Sequence, residues 1–112
     1  MKYLNITPAI VISKNSIISK FSKIGFGTII MDNVVVNAYA QIKENCIINT
    51  GCIIEHDVVI HSHSHISTGV IVNGGVTVGE GTFIGSGSII RQGVSIKNNS
   101  FIPMGSLIKH DV

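Results

Sequence analysis

Long apolar runs are missing from this sequence, and that absence excludes more than any other. Hydrophobic residues make up 45% of the chain, yet they never continue for more than a few positions. No segment reaches the ~20 apolar residues that a membrane-crossing helix needs. The N-terminal residues also lack the apolar core of a secretory signal peptide, and a cytoplasmic location is the expectation. Charge is scarce: eight Lys and Arg against six Asp and Glu leave a formal +2, and the lysines are scattered, which argues against a nucleic-acid surface. There is no Gly-rich dinucleotide loop, because Gly79, Gly81 and Gly85 are accounted for by turns and repeat positions. Linkers are lacking too, so the 112 residues are read as one domain spanning 1–112.

What is present is a period of six. Residues 6, 12, 18, 24, 30, 36, 42, 48, 54, 60, 66, 72, 78, 84, 90, 96, 102 and 108 are all Ile or Val. Two positions before each stands a small or β-branched residue, from Ser16 to Ser106, with only Leu4 and Ile10 larger. Three positions after the Ile/Val row come Asn15, Gly27, Asn33, Asn45, Gly51, Asp57, Gly69, Gly75, Gly81, Gly87, Gly93, Asn99, Gly105 and Asp111. These residue types tolerate positive φ, so this row turns the chain. Ala9, Phe21 and Tyr39 also fall on the turn row, and those corners are expected to be looser or differently shaped.

No amphipathic helix or hairpin keeps such a period over a whole chain. A short strand that points one small and one branched side chain inward, followed by a turn, does. Three such strands close a triangular coil of eighteen residues, and stacked coils make an all-β parallel β-helix of about six coils in which each residue pairs with the one eighteen positions on. Both cysteines, Cys46 and Cys52, lie in the small inward row on adjacent faces of one coil. There they act as small hydrophobes, in preference to a nucleophile or a disulfide. The outward positions include Val11, Ile17, Ile29, Val35, Ile47, Ile53, Val59, Ile71, Phe83, Ile89, Phe101 and Leu107. Apolar flanks of this extent point to side-by-side association of copies.

Against this background one stretch stands out. Asn49, Glu55, His56, Asp57, His61, His63 and His65 concentrate titratable and hydrogen-bonding groups within one coil. His56 falls at a corner, one residue before the turn. A neutral imidazole there can take a proton from an amine or hydroxyl at neutral pH, and the adjacent Asp57 can orient the ring. The alternating His61, His63 and His65 raise a metal site as a rival, but His63 falls on the turn row, so the three need not face one way.

The string Ile-Ile-Asn-Thr-Gly-Cys-Ile-Ile-Glu-His-Asp (47–57), with His65-Ile66-Ser67 and Gly74-Gly75-Val76-Thr77-Val78-Gly79, resembles one branch of the hexapeptide-repeat acyltransferases. That branch comprises the nucleotide-sugar N-acetyltransferases and the sialic acid O-acetyltransferases. The resemblance implies a left-handed coil, a homotrimer with sites between subunits, acetyl-CoA as acyl donor, and an amino or hydroxyl group of a sugar as acceptor. It implies His56 as general base with Asp57 beside it, and direct attack of the acceptor on the thioester. His65 and the Gly74 amide would hold the thioester carbonyl, while Asn49 and Glu55 match positions near the acceptor. Gly74 lies one coil after His56, and the half-site made of His65 and Gly74 is expected on a neighbouring subunit.

The same fold hosts gamma-class carbonic anhydrases, whose zinc uses two histidines five residues apart and a third two coils earlier. His56 and His61 have that first spacing, but Lys20 stands two coils before His56, and no metal site is assigned. A third reading is a non-enzymatic trimeric scaffold or binding fragment. Members of the branch carry an N-terminal Rossmann-like domain and a tail with an Asn-Pro-Ala-like segment. Here Met1 precedes the first hexad and the chain stops at His110-Asp111-Val112. Thr7-Pro8 stands at the usual His-Pro junction, and His61-Ser62 where Gly-Asp often follows.

Overall fold

The computed structural model describes residues 8–112; Met1, Leu4, Ile6 and Thr7, to which the repeat reading also assigned places, lie outside the described residues. Among the described residues, seventeen two-residue strands recur at six-residue intervals, from β1 (Val11–Ile12) to β17 (Leu107–Ile108). Each of the first fourteen strands pairs in parallel with the strand three further on, in a register of eighteen residues, as in Val11↔Ile29 and His65↔Phe83. The strands therefore fall into two six-stranded sheets and one five-stranded sheet, the three sides of a left-handed parallel β-helix. We call them side one (beginning with β1), side two (beginning with β2, Ile17–Ile18) and side three (beginning with β3, Lys23–Ile24). The corners stack into three ridges: the first between sides one and two, the second between sides two and three, the third between sides three and one.

Side chains explain why two-residue strands suffice. The Ile/Val row is fully buried from Ile30 to Ile90, and Ile18, Ile24 and Ile108 near the ends are partly buried. Beside it the small row fills the corners: Val34, Ala40, Cys46, Cys52, Val58, Val70 and Val76 are all 0% exposed. Where that row carries a hydroxyl, the group is paired. Thr28, Ser64, Thr82 and Ser88 each donate to a carbonyl fifteen residues on, at 2.7 to 3.2 Å. The cysteines do the same, Cys46 to the His61 carbonyl at 3.3 Å and Cys52 to the Ser67 carbonyl at 2.8 Å. They are thus more than small hydrophobes, because each donates to a corner carbonyl fifteen or so residues on. Burial raises both thiols, Cys52 to about 11, so they stay protonated and able to donate.

The turn row behaves as its residue types demand. Eight glycines from Gly27 to Gly105 have positive φ, and so do Asn33, Asn45, Asp57, His63 and Asn99. Tyr39 departs from expectation: with φ 64° its corner keeps the regular shape, and the left-handed strain falls on a bulky residue. Phe21 is not in the left-handed region, so only that aromatic corner is differently shaped in this sense.

Outward residues distinguish the sides. Side one presents Val11, Ile29, Ile47, His65, Phe83 and Phe101, and side two presents Ile17, Val35, Ile53, Ile71, Ile89 and Leu107. Side three presents Lys23, Gln41, Val59, Thr77 and Ser95. Two sides are apolar and one is polar.

Candidate active site

The second ridge carries the candidate site. Between β8 (Ile53–Ile54) and β9 (Val59–Ile60) the chain turns through Glu55, His56 and Asp57. Asp57 takes the left-handed turn conformation with φ 60°, which an aspartate tolerates better than most residues. That turn points its carboxylate at the preceding ring, and His56 Nδ1 and Asp57 Oδ2 are 3.0 Å apart. Both side chains are more than 60% exposed. With the carboxylate accepting at Nδ1, the ring proton belongs on that nitrogen, and Nε2 is left with a free lone pair.

Nε2 lies over Gly74. The corner backbones stack, with the Gly75 amide donating to the His56 carbonyl at 3.0 Å, so the ring leans onto the next coil. A Cβ added to Gly74 would sit 2.6 Å from His56 Nε2 and 2.7 Å from Cε1. Gly74 is not among the positive-φ residues, so the glycine here makes room for the ring instead of relieving the backbone. Its carbonyl accepts from the Gly93 amide at 2.9 Å, while its own N–H has no partner among the described residues. His56, Asp57, Gly74, Gly75, Gln92 and Gly93 line an open depression of about 360 Å³. An imidazole, the carboxylate that pairs with it and an unpaired amide donor therefore share one surface. Gln92 and Gly93 were not singled out in the sequence, although counting another eighteen residues from Gly74 and Gly75 reaches them.

The other expected site residues are placed differently. Glu55 is on the same corner, but its Oε1 accepts from Asn37 Nδ2 at 2.9 Å, one coil earlier. Asn49 lies on the first ridge, where its Oδ1 accepts from the Thr50 amide at 2.7 Å. His65 begins β10 (His65–Ile66) on side one, with its ring edge-on to Phe83 at 5.2 Å. Its Nε2 is buried with no hydrogen-bond partner among the described residues. A single chain thus brings together His56, Asp57 and Gly74, with Glu55 adjacent, and separates them from Asn49 and His65. Gly74, expected across a subunit boundary, lies against His56 of its own chain. His61 and His63 occupy the third ridge, and among the described residues no three His, Cys, Asp or Glu side chains converge as a metal would require.

The bacterial transferase hexapeptide family model matches residues 27–62, 57–92 and 75–110. No curated protein matches the chain in sequence. Among solved structures, a variant of perosamine N-acetyltransferase from Caulobacter crescentus, in complex with CoA and GDP-perosamine, superposes with a TM-score of 0.94 at 28% identity. That match covers 96% of this chain and 51% of the other. The acetyltransferase domain of PglB from Neisseria gonorrhoeae, in complex with acetyl coenzyme A, superposes with a TM-score of 0.95 at 28% identity, covering 96% of this chain and 53% of the other. The chain spans about half the length of these relatives. A UDP-N-acetylglucosamine O-acyltransferase from Moraxella catarrhalis, 18% identical over 93% of this chain and 66% of its own, shares the fold with a TM-score of 0.61.

Proposed function

The chain belongs to the bacterial transferase hexapeptide family, and from that premise we propose that it is the β-helix of an acetyl-CoA-dependent acetyltransferase acting on an amino or hydroxyl group of a sugar. The observation that carries this reading is the placement of His56 Nε2 over Gly74, with Nδ1 held by Asp57. The two relatives at 28% identity, one solved with CoA and a nucleotide-linked amino sugar and one with acetyl coenzyme A, support the same donor and acceptor classes.

The donor contributes an activated acetyl thioester. His56 Nε2 takes the proton from the acceptor N–H or O–H as that atom bonds to the thioester carbonyl carbon. Asp57 keeps the ring in the tautomer that accepts at Nε2 and balances the charge of the imidazolium. The Gly74 amide donates to the carbonyl oxygen as it gains negative charge. Collapse of the tetrahedral species breaks the carbon–sulfur bond, and the thiolate takes the proton back from His56. The residues present fit the donor: Gly74, Gly75 and Gly93 leave the surface beside His56 low, with Gln92 the next side chain along it. Farther on, Arg91, Lys109 and Asp111 border a depression of about 540 Å³, where two cations against one carboxylate suit phosphates.

For assembly, a homotrimer is the reading that covers both apolar sides. Closed three-fold packing joins two different patches, here side one of one copy and side two of the next, and leaves polar side three in water. Wedges of triangular section around an axis leave a groove between neighbours. His56 of one copy would stand on one bank and His65 of the next on the other, where the unpartnered Nε2 could meet the thioester carbonyl. Asn49, on the ridge nearest the axis, stays a weaker candidate for the acceptor than Glu55.

The test is a thiol-release screen with acetyl-CoA across nucleotide-linked amino sugars and sialic acids, run on the chain and on His56→Ala. Transfer that disappears in the variant while the assembly mass is unchanged supports the mechanism; an unaffected rate overturns it.

A further inference from the structure

Asn73 is the only asparagine of the chain that precedes a glycine. The side-chain amide of an asparagine is open to attack by the backbone nitrogen of the next residue, and a glycine there presents no Cβ to block the approach. Three features of the fold favour that reaction at this corner. The Gly74 N–H has no partner among the described residues, so the attacking nitrogen is free. Asn45, Asn49 and Asn99 differ, because the amides that follow them donate to Thr28 Oγ1, Asn49 Oδ1 and Thr82 Oγ1. A base is also at hand: His56 Nε2, with its free lone pair, stands so close to Gly74 that a Cβ there would lie 2.6 Å from it. Finally, glycine holds both central positions of the corner, Gly74 and Gly75, as at no other corner of the described residues, which leaves this backbone the least restricted.

The side-chain amide of Asn73 is held by one hydrogen bond, from Nδ2 to the Ile90 carbonyl at 2.9 Å. Releasing that bond lets Cγ turn toward the Gly74 nitrogen. We propose that Asn73 is a modification site, at which His56 promotes conversion of the asparagine to aspartate and isoaspartate.

His56 Nε2 takes the proton from the Gly74 nitrogen as that nitrogen bonds to Asn73 Cγ. The Cγ–Nδ2 bond breaks, Nδ2 receives the proton from His56, and ammonia departs to leave a cyclic imide. Water then adds to one of the two imide carbonyls. Breaking the bond from Cγ to nitrogen restores the main chain with aspartate; breaking the other routes the main chain through the side chain as isoaspartate. The sum is water consumed and ammonia released, with no change in oxidation state. Both stages bear on the transfer site. In the imide, Gly74 has no N–H to donate. Isoaspartate lengthens the main chain at a corner where Gly75 must donate to the His56 carbonyl at 3.0 Å. That effect on rate rests on the acetyl-transfer reading, whereas the modification itself does not.

The test incubates the folded chain at mildly alkaline pH without acyl donor. Peptide mass spectrometry follows the amide-to-acid exchange at each asparagine, and isoaspartyl methyltransferase labelling separates the two products. Conversion should appear at Asn73 ahead of Asn33 and Asn37, whose following residues, Val34 and Ala38, carry a Cβ. His56→Ala should slow it by about tenfold, less than the full effect of a positioned base because hydroxide still serves. In denaturant, wild type and His56→Ala should convert at the same rate, which separates the placement of the base from any loss of fold. Asn73→Gln should show no conversion there, and should hold its acetyl-transfer rate through an incubation in which the wild-type rate falls in step with the modified fraction. The proposal is overturned if Asn73 of the folded wild type converts no faster than Asn33 and Asn37, or if His56→Ala leaves its conversion rate unchanged. Conversion at Asn73 in a fresh chain that transfers no acetyl group would remove the transfer reading and leave the modification site standing.

Discussion

On the second ridge the corner of one coil reads Glu55-His56-Asp57; six residues on, the third ridge reads His61-Ser62-His63. Asp57 and His63 hold the same turn with φ 60° and 63°, and His61 is outward at the position matching Glu55. By composition the third-ridge corner is the richer in imidazole. What separates them is the next coil. Eighteen residues beyond His56 is Gly74, which yields its side-chain space to the ring and leaves an amide unpaired. Eighteen beyond Ser62 is Glu80, and Ser62 itself is tied back to Glu44 at 3.0 Å. In a β-helix the chemistry open to a corner residue is set by its neighbour one coil away as well as by its neighbours in sequence.

The sharpest way to break that comparison is to remove His56. His56→Ala should lower the acetyl-transfer rate by about 10²- to 10⁴-fold, the range for loss of a general base, with circular dichroism and assembly mass unchanged. Next in size is Gly74→Ala. Its backbone conformation admits alanine, but the new Cβ would fall 2.6 Å from Nε2, so the ring must swing off the amide. A rate loss of about 10- to 10²-fold follows from misplacing a reacting group by an ångström or so, without loss of fold. Asp57→Asn comes third. Asparagine keeps the turn, as at Asn45, but frees the Nδ1 tautomer, and a loss of about tenfold is expected from steady-state rates, since the imidazolium forfeits a neighbouring charge. An Asp57→Asn loss exceeding that of His56→Ala would mean that the carboxylate itself takes the proton.

How much of this could be read from the sequence follows from the same geometry. The interior was legible because a strict six-residue period leaves each inward position one size of space, and Cys46 and Cys52 fell into place with Thr28 and Ser64. Their role as donors to corner carbonyls was not legible, since a pattern of small residues carries no statement about which carbonyls need partners. That the His56 corner stacks on Gly74 was legible through the eighteen-residue step; the roles expected of His56, Asp57 and Gly74 came from the family resemblance. Asn49 and His65 share the same stretch of sequence, yet a hexad moves the chain to another ridge or side, so closeness in sequence is distance in space. Tyr39 went the other way: its residue type argued for an irregular corner, and the stacked ladder, with the Asp57 amide donating to the Ala38 carbonyl at 3.2 Å, held it regular despite the strain.

The smallest effects should come from the third ridge. His63→Asn places a residue that prefers the left-handed turn where an imidazole now stands, so thermal melting should show stability unchanged or raised by about 0.5 to 1 kcal/mol. Acetyl transfer should stay within about twofold of wild type, because surface substitutions away from a site rarely move more. A harder version rebuilds the second ridge on the third: Ser62→His with His63→Asp, in a chain that also carries His56→Ala. The new pair matches the old in sequence, turn and spacing, but the coil that follows offers Glu80, which carries a side chain at the position where Gly74 has none. No transfer activity should return. Recovery of even a few per cent of the wild-type rate would show that the histidine and aspartate suffice alone, and that the glycine one coil on is packing and nothing more.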